Sequence, residues 1–160
     1  MNAAYSTLFV ALCLASVVSI PAVQSDSGCL PGWVSFEHSC YTFGRENVTW
    51  QDAVSLCKAF GGYLLEINSD AEYEWIKGQL KARKASQVWI GANDMVEEGK
   101  FRWLSNNEPV GDVPYWRPGQ PNNLAAGEHC VEMVGILNYV WADEECQYLN
   151  KYACESRKCG

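Results

Sequence analysis

Eight cysteines in a chain of 160 residues constrain this sequence more than any run of regular pattern does. How they can be used depends on the compartment. Leu8 to Ile20 is an uncharged apolar run, and Pro21, Ala22 and Ser25 give it a small-residue exit, so residues 1–23 are expected to be a signal peptide. No Lys or Arg precedes the run, and it is too short to cross a bilayer, so no membrane insertion is expected. The mature chain is then a secreted, extracellular protein. With Cys13 removed, cysteines 29, 40, 57, 130, 146, 154 and 159 remain, and in an oxidising compartment six of them can form structural bridges. Six cysteines allow fifteen pairings, and their positions alone do not choose among them. Cys159 lies in a short charged tail, residues 156–160, where it either links two chains into a homodimer or is an incidental capped thiol.

The net charge of −7, with only twelve basic residues, repels a phosphate backbone and argues against nucleic acid as a partner. Lys77, Lys81, Arg83 and Lys84 read as a solvated helix face. Seven tryptophans and eight tyrosines are many for this length, and they suit the filling of an irregular, loop-rich core.

Along the chain, Cys29 to Phe43 reads as a short hairpin, with Pro31-Gly32 as the turn signal and His38 in a solvated turn. Asn47-Val48-Thr49 is an N-glycosylation acceptor at Asn47. From Thr49 the period becomes helical. Thr49 and Asp52 have capping-box spacing, Trp50, Ala53, Val54, Cys57 and Phe60 share a face, and Gly61-Gly62 stops the run. A second helix should start near Asn68-Ser69, with Ala71, Trp75, Ile76 and Leu80 as its apolar stripe. Short strands are expected at Tyr63 to Ile67, Val88 to Gly91, Phe101 to Trp103, Cys130 to Met133, Tyr139 to Ala142 and Tyr152 to Cys154. Between Asn93 and Gly127 prolines, glycines and asparagines break every run, and a loop region this long is ordinarily a functional one.

The stretch from Pro118 to Cys146 carries the chemistry. Gln120, Asn122, Asn123, Glu128, His129 and Asp143 supply amide, carboxylate and imidazole groups that a Cys130 to Cys146 closure would bring within reach of one another. Calcium takes six to eight oxygen ligands and tolerates flexible loops, which suits this set. Gln120 and Asn122 could point to one side if the Gln120-Pro121 bond is cis, a form that proline makes accessible. Zinc fits poorly, because His38 and His129 are the only histidines and the cysteines are better used as disulfides.

On these residues the chain resembles the C-type lectins. The resemblance rests on cysteines 29, 40, 57, 130, 146 and 154, on Trp89-Ile90-Gly91, on Phe101 and Trp103, on Gln120-Pro121-Asn122, on Gly127-Glu128 before Cys130-Val131, and on Trp141 and Asp143 before Cys146. It covers Cys29 to Glu155. It implies an α+β fold, the long form of the C-type lectin-like domain over residues 29–155, with two helices, two small antiparallel sheets and a long calcium-binding loop region. It also implies bridges Cys29-Cys40, Cys57-Cys154 and Cys130-Cys146.

In sugar-binding members two vicinal hydroxyls complete the calcium shell, and by resemblance Gln120, Asn122, Glu128 and Asp143 hold both Ca2+ and carbohydrate. The departure is Ala142, where the family usually has Asn, so one neutral oxygen is missing. An auxiliary calcium site would use Asp94, Glu98, Asn123, Glu128 and His129, with Asn123 and His129 replacing carboxylates. Glu-Pro-Asn accompanies mannose-type and Gln-Pro-Asp galactose-type binding in the family, and Gln120-Pro121-Asn122 is a hybrid that leans to mannose-type or broad specificity and leaves galactose-type binding open. The expected function is calcium-dependent binding of glycans on microbial or cell surfaces, in innate immune recognition or agglutination. The alternative is a calcium-independent domain of the same fold that binds a protein or mineral surface. An enzyme is not expected: Glu97-Glu98 and Glu144-Glu145 are adjacent pairs, not placed by sequence to face across a scissile bond.

Overall fold

The computed structural model describes residues 28–157, and no side chain is described for residue 125. The expected signal peptide and Cys159 lie outside the described residues. Three disulfides close the domain: Cys29–Cys40, Cys57–Cys154 and Cys130–Cys146, the pairing that the resemblance implied.

The chain opens with strands β1 (Val34–Phe36) and β2 (Ser39–Phe43), an antiparallel hairpin. Its turn is Glu37-His38, with Glu37 at φ 45°, while Pro31-Gly32 turns the chain ahead of β1. Helix α1 (Trp50–Ala59) begins where Thr49 accepts the Asp52 amide, and the Thr49 hydroxyl in turn donates to the Asp52 carboxylate at 2.7 Å. Trp50, Ala53 and Cys57 are buried, whereas Phe60, expected on the same face, is 44% exposed at the C-cap. The helix ends one residue before Phe60, so the stripe stops with it.

Strand β3 is only Tyr63–Leu64, shorter than expected. Helix α2 (Asp70–Ala82) is capped by Ser69. Its stripe differs from the expected one: Tyr73, Ile76 and Leu80 are buried, Ala71 is exposed and Trp75 is half-buried, stacked on Phe36 at 4.7 Å. Lys77 is also buried rather than solvated. Its ammonium lies 4.8 Å over the Tyr73 ring and pairs with Glu74 at 2.7 Å, so its stem covers apolar surface while its charge is matched.

Strands β4 (Gln87–Asn93), β5 (Arg102–Trp103), β6 (Glu128–Val134), β7 (Val140–Glu145) and β8 (Lys151–Arg157) complete an α+β fold. The order β1-β2-β8-β4-β6-β7 is antiparallel on both sides of one parallel contact, β4 with β8, so two small antiparallel sheets meet at that seam. Trp50, Trp89, Tyr152 and the Cys57–Cys154 bridge fill one core cluster, and the other gathers around Ile76, Val131, Met133 and Trp141.

The long region after β4 is tied to the second cluster. Trp141 is fully buried and meets Tyr73, Trp103, Tyr115 and Trp116 edge-on, with centroids 5.1 to 6.5 Å apart. Its backbone accepts from Arg117 and donates to Tyr115, which lays residues 115–117 alongside β7. Aromatic packing and two backbone bonds thus fix the start of the polar loop.

Candidate functional site

From Arg117 the chain turns sharply, the Gln120 amide donating to the Arg117 carbonyl, and passes through a cis Gln120-Pro121 bond. Asn123 then takes a left-handed conformation, φ 44°, and a single 3-10 turn, Leu124–Ala126, leads into β6. Asn tolerates that conformation better than most residues.

Two buried carboxylates organise the loop. Asp143, on β7, accepts the Asn122 amide at 3.0 and 3.1 Å and the Asn123 amide at 2.7 Å. Glu128, at the start of β6, accepts the Leu124 amide at 2.9 Å, while its own amide donates to the Asn123 side-chain oxygen at 3.1 Å. The β6–β7 pairing brings the two strands side by side, with an irregularity between Glu128 and Cys130 that the Cys130–Cys146 bridge spans. Burial pushes the Glu128 carboxyl above its ordinary value, the Leu124 amide opposes this, and the charges of Asp143, Glu144 and Glu145 push further in the same upward direction. Among the described residues neither Glu128 nor Asp143 has a basic partner within ion-pair distance.

The residues read from the sequence are therefore met in different ways. Asn122, Asn123, Glu128 and Asp143 form one bonded cluster, with Asn122 taking part through its backbone while its side chain is exposed. Gln120 stands beside it in the chain, and its Oε1 is buried with no hydrogen-bond partner. An orphaned carbonyl oxygen and two unneutralised buried carboxylates are what a hard divalent cation would satisfy, so this donor set fits calcium. Ala142 is buried on β7 opposite Glu132 and supplies no donor.

Asp94, Glu98 and His129 form a second cluster, their ligand atoms all within 4.8 Å of one another. The Asp94 amide donates to the His129 carbonyl, and one Asp94 oxygen lies 3.0 Å from His129 Nδ1 while the other accepts the Gly99 amide. Glu98 is 3.5 Å from the same ring nitrogen. One of its three ligand groups is an imidazole whose Nδ1 already lies 3.0 Å from Asp94, and calcium takes oxygen ligands, so this group fits calcium less well than the first cluster. Asn123, with its oxygen on Glu128, belongs to the principal cluster instead.

Sequence reasoning missed four other buried carboxylates: Glu66, Glu72, Glu132 and Glu155. Burial, with Glu144 nearby, pushes Glu132 up to about 7, and Asn150 holds it at 2.6 Å. Its only sequence signal is a charge inside the apolar run Cys130 to Met133. Asn47 is exposed just ahead of α1, and His38 is exposed in the hairpin turn.

A disulfide-braced α+β domain with a long aromatic-pinned loop that ends in amides and buried carboxylates defines a C-type lectin-like domain. The family model described as the Lectin C-type domain matches residues 46–156, and the chain belongs to that family. Among its relatives is the Salivary C-type lectin 2 of Aedes albopictus, 34% identical over an alignment 146 positions long that covers 82% of this chain and 96% of the relative. Among solved structures, the mouse scavenger receptor C-type lectin carbohydrate-recognition domain superposes with a TM-score of 0.75 at 33% identity, covering 82% of this chain and all of that one. A calcium-independent type II antifreeze protein superposes nearly as well, with a TM-score of 0.73 at 27% identity over 82% of this chain and 95% of its own.

Proposed function

We propose that the chain is a secreted, calcium-dependent carbohydrate-binding protein and not an enzyme, with Gln120, Asn122, Glu128 and Asp143 as the residues that hold both the ion and the sugar. The observation that carries this reading is the pair of buried, unneutralised carboxylates, Glu128 and Asp143, together with the orphaned Oε1 of Gln120, two residues before Asn122 in the same loop. When bound, calcium supplies positive charge that two sugar hydroxyls can coordinate. The chain's own part is to hold the carboxylates in place: backbone amides of residues 122–124 fix their oxygens, and the packed Trp141 indole fixes the strand that carries Asp143. Two amides, at Gln120 and Asn122, then face hydroxyls without the charge asymmetry that would select one sugar geometry, which favours mannose-type or broad binding. Glycans on microbial or cell surfaces are the expected ligands, in innate immune recognition or agglutination. A Cys159-linked homodimer would provide the second site that agglutination needs.

The test is a glycan array run with calcium and again with a chelator, using the native chain and Asp143→Asn. Retention that depends on calcium and is lost in the variant is expected. Binding that survives chelation unchanged would reject the proposal. A second reading, a calcium-independent domain binding a protein or mineral surface, draws support from Ala142 and from the amides that already solvate both carboxylates. Loop amides can stabilise buried charge without an ion, and the superposition with the calcium-independent antifreeze protein is consistent with that.

A further inference from the structure

At the far end of β4 from the polar loop lies a cleft of about 480 Å³ between the β2 end, the C-terminus of α2 and the starts of β4 and β8. The two places are well separated. Val88, in the cleft wall, pairs with Met133, whereas Asn93 at the other end of β4 pairs with Cys130 beside the loop, about 16 Å away at the rise of a strand.

The lining has two components. Half-buried Phe43 gives it an apolar wall, with Leu80 and Val88 packed behind at 1% exposure each, and Arg45, Arg83 and Lys151 stand around it. In a chain of net charge −7 with twelve basic residues, three cations share this one cleft and no Asp or Glu lines it. The nearest acid the contacts identify is Glu46, which accepts the Tyr152 hydroxyl at 2.8 Å and also feels Lys151.

The cations are held but not used up. Arg83 lies 4.1 Å over the Phe43 ring and donates through Nη1 to the Gln79 carbonyl and side-chain oxygen, which leaves the N–H groups of Nε and Nη2 without a bonded partner among the described residues. Lys151 gives one N–H to the Arg45 carbonyl at 2.7 Å and has two more. A charge at the end of α2 also offsets the helix dipole, which accounts for Arg83 alone. It does not account for Arg45, in the loop after β2, or for Lys151 on β8, which line the same cleft.

We propose that this cleft is a second binding site, independent of calcium, for a small organic oxyanion: a sulfate, sulfonate or phosphate group carried on an apolar ring or chain. The charged group meets Arg45, Arg83 and Lys151, and the apolar body lies against Phe43. Inorganic sulfate or phosphate offers only the first half of that match, and an uncharged aromatic only the second.

Calorimetric titration of the native chain with 2-naphthalenesulfonate, at low salt and in the presence of chelator, tests this. One saturable site is expected, with inorganic sulfate, inorganic phosphate and 2-naphthol each bound at least roughly tenfold more weakly. The double variant Arg45→Gln/Lys151→Gln should weaken the sulfonate at least about tenfold, Arg83→Gln should weaken it too, and Lys58→Gln, on α1, should not. The proposal is overturned by absence of saturable binding up to about 10 mM, by equal affinity of 2-naphthol, or by unchanged affinity in the folded double variant. Because chelator is present throughout, failure here is separate from failure of the sugar-binding reading.

Discussion

Glu155 offers a test of how the fold handles buried charge. It is 4% exposed, and β8 pairs it with Tyr41 of β2 on one side and Tyr63 of β3 on the other. Burial pushes its carboxyl from 4.5 up to about 7, the nearby Glu72 adds to this, and the Ser39 hydroxyl at 2.7 Å and the Glu66 amide at 3.3 Å oppose it. The folded value is raised for an acid, so between about pH 4.5 and pH 7 the folded state binds more protons than the unfolded chain, and stability falls as pH rises through that window. Two and a half units at about 1.36 kcal/mol each make the total roughly 3 kcal/mol, of which roughly 2 is lost between about pH 5 and pH 8. Glu155→Gln keeps an acceptor for Ser39 and removes the ionisation. Urea unfolding of both proteins at about pH 5 and pH 8 should therefore give similar stabilities at the lower pH and an advantage for the variant of about 2 kcal/mol at the higher one. Parallel pH dependence of the two proteins, within about 0.5 kcal/mol, would show that the Glu155 carboxylate is solvated in the folded state and that the reasoning from burial is mistaken.

Ala142→Asn restores a neutral oxygen on β7 and should tighten calcium roughly tenfold by calorimetry; an unchanged affinity would mean that position 142 faces Glu132 rather than the ion. Replacing Cys57 and Cys154 by Ala opens a closure of 97 residues and should cost about 4 kcal/mol in urea unfolding, enough to leave the domain marginal. Ser69→Ala removes the cap on the Glu72 amide and should cost about 1 kcal/mol by the same measurement, with no change in calcium affinity.

Much of the fold was legible because it is written in local chemistry. Thr49 and Ser69 announce their helices through a side-chain oxygen that must reach an amide three residues on, and that requirement is the same in the sequence and in the structure. Cysteine positions carried the family resemblance and with it the bridges. What failed was the assignment of faces at helix ends: Phe60 and Ala71 fit a stripe by period, but α1 ends before Phe60, and in the first turn of α2 it is Glu72 and Tyr73, not Ala71, that are buried. Lys77 failed for another reason. Its charge could not be read as buried until Glu74 and the Tyr73 ring were seen to meet it.

The candidate site divides along the same line. That Glu128 and Asp143 meet the same loop was readable from the resemblance and its Cys130–Cys146 bridge, which with the β6–β7 pairing brings their strands side by side. The loop amides that solvate them were not readable, since a backbone donor has no letter in the sequence. Those amides change what the site must do. An ion held between Glu128 and Asp143 would meet oxygens that already accept hydrogen bonds from residues 122–124 and keep lone pairs for a cation, so the amides orient the donors without using them up. Gln120 Oε1, buried with no hydrogen-bond partner, would give up no contact to such an ion. If the chain binds calcium as proposed, the amides of residues 122–124 therefore serve to aim the two carboxylates, and the oxygens that decide the strength of the site are Gln120 Oε1, which has no partner, and the one that Ala142 does not offer.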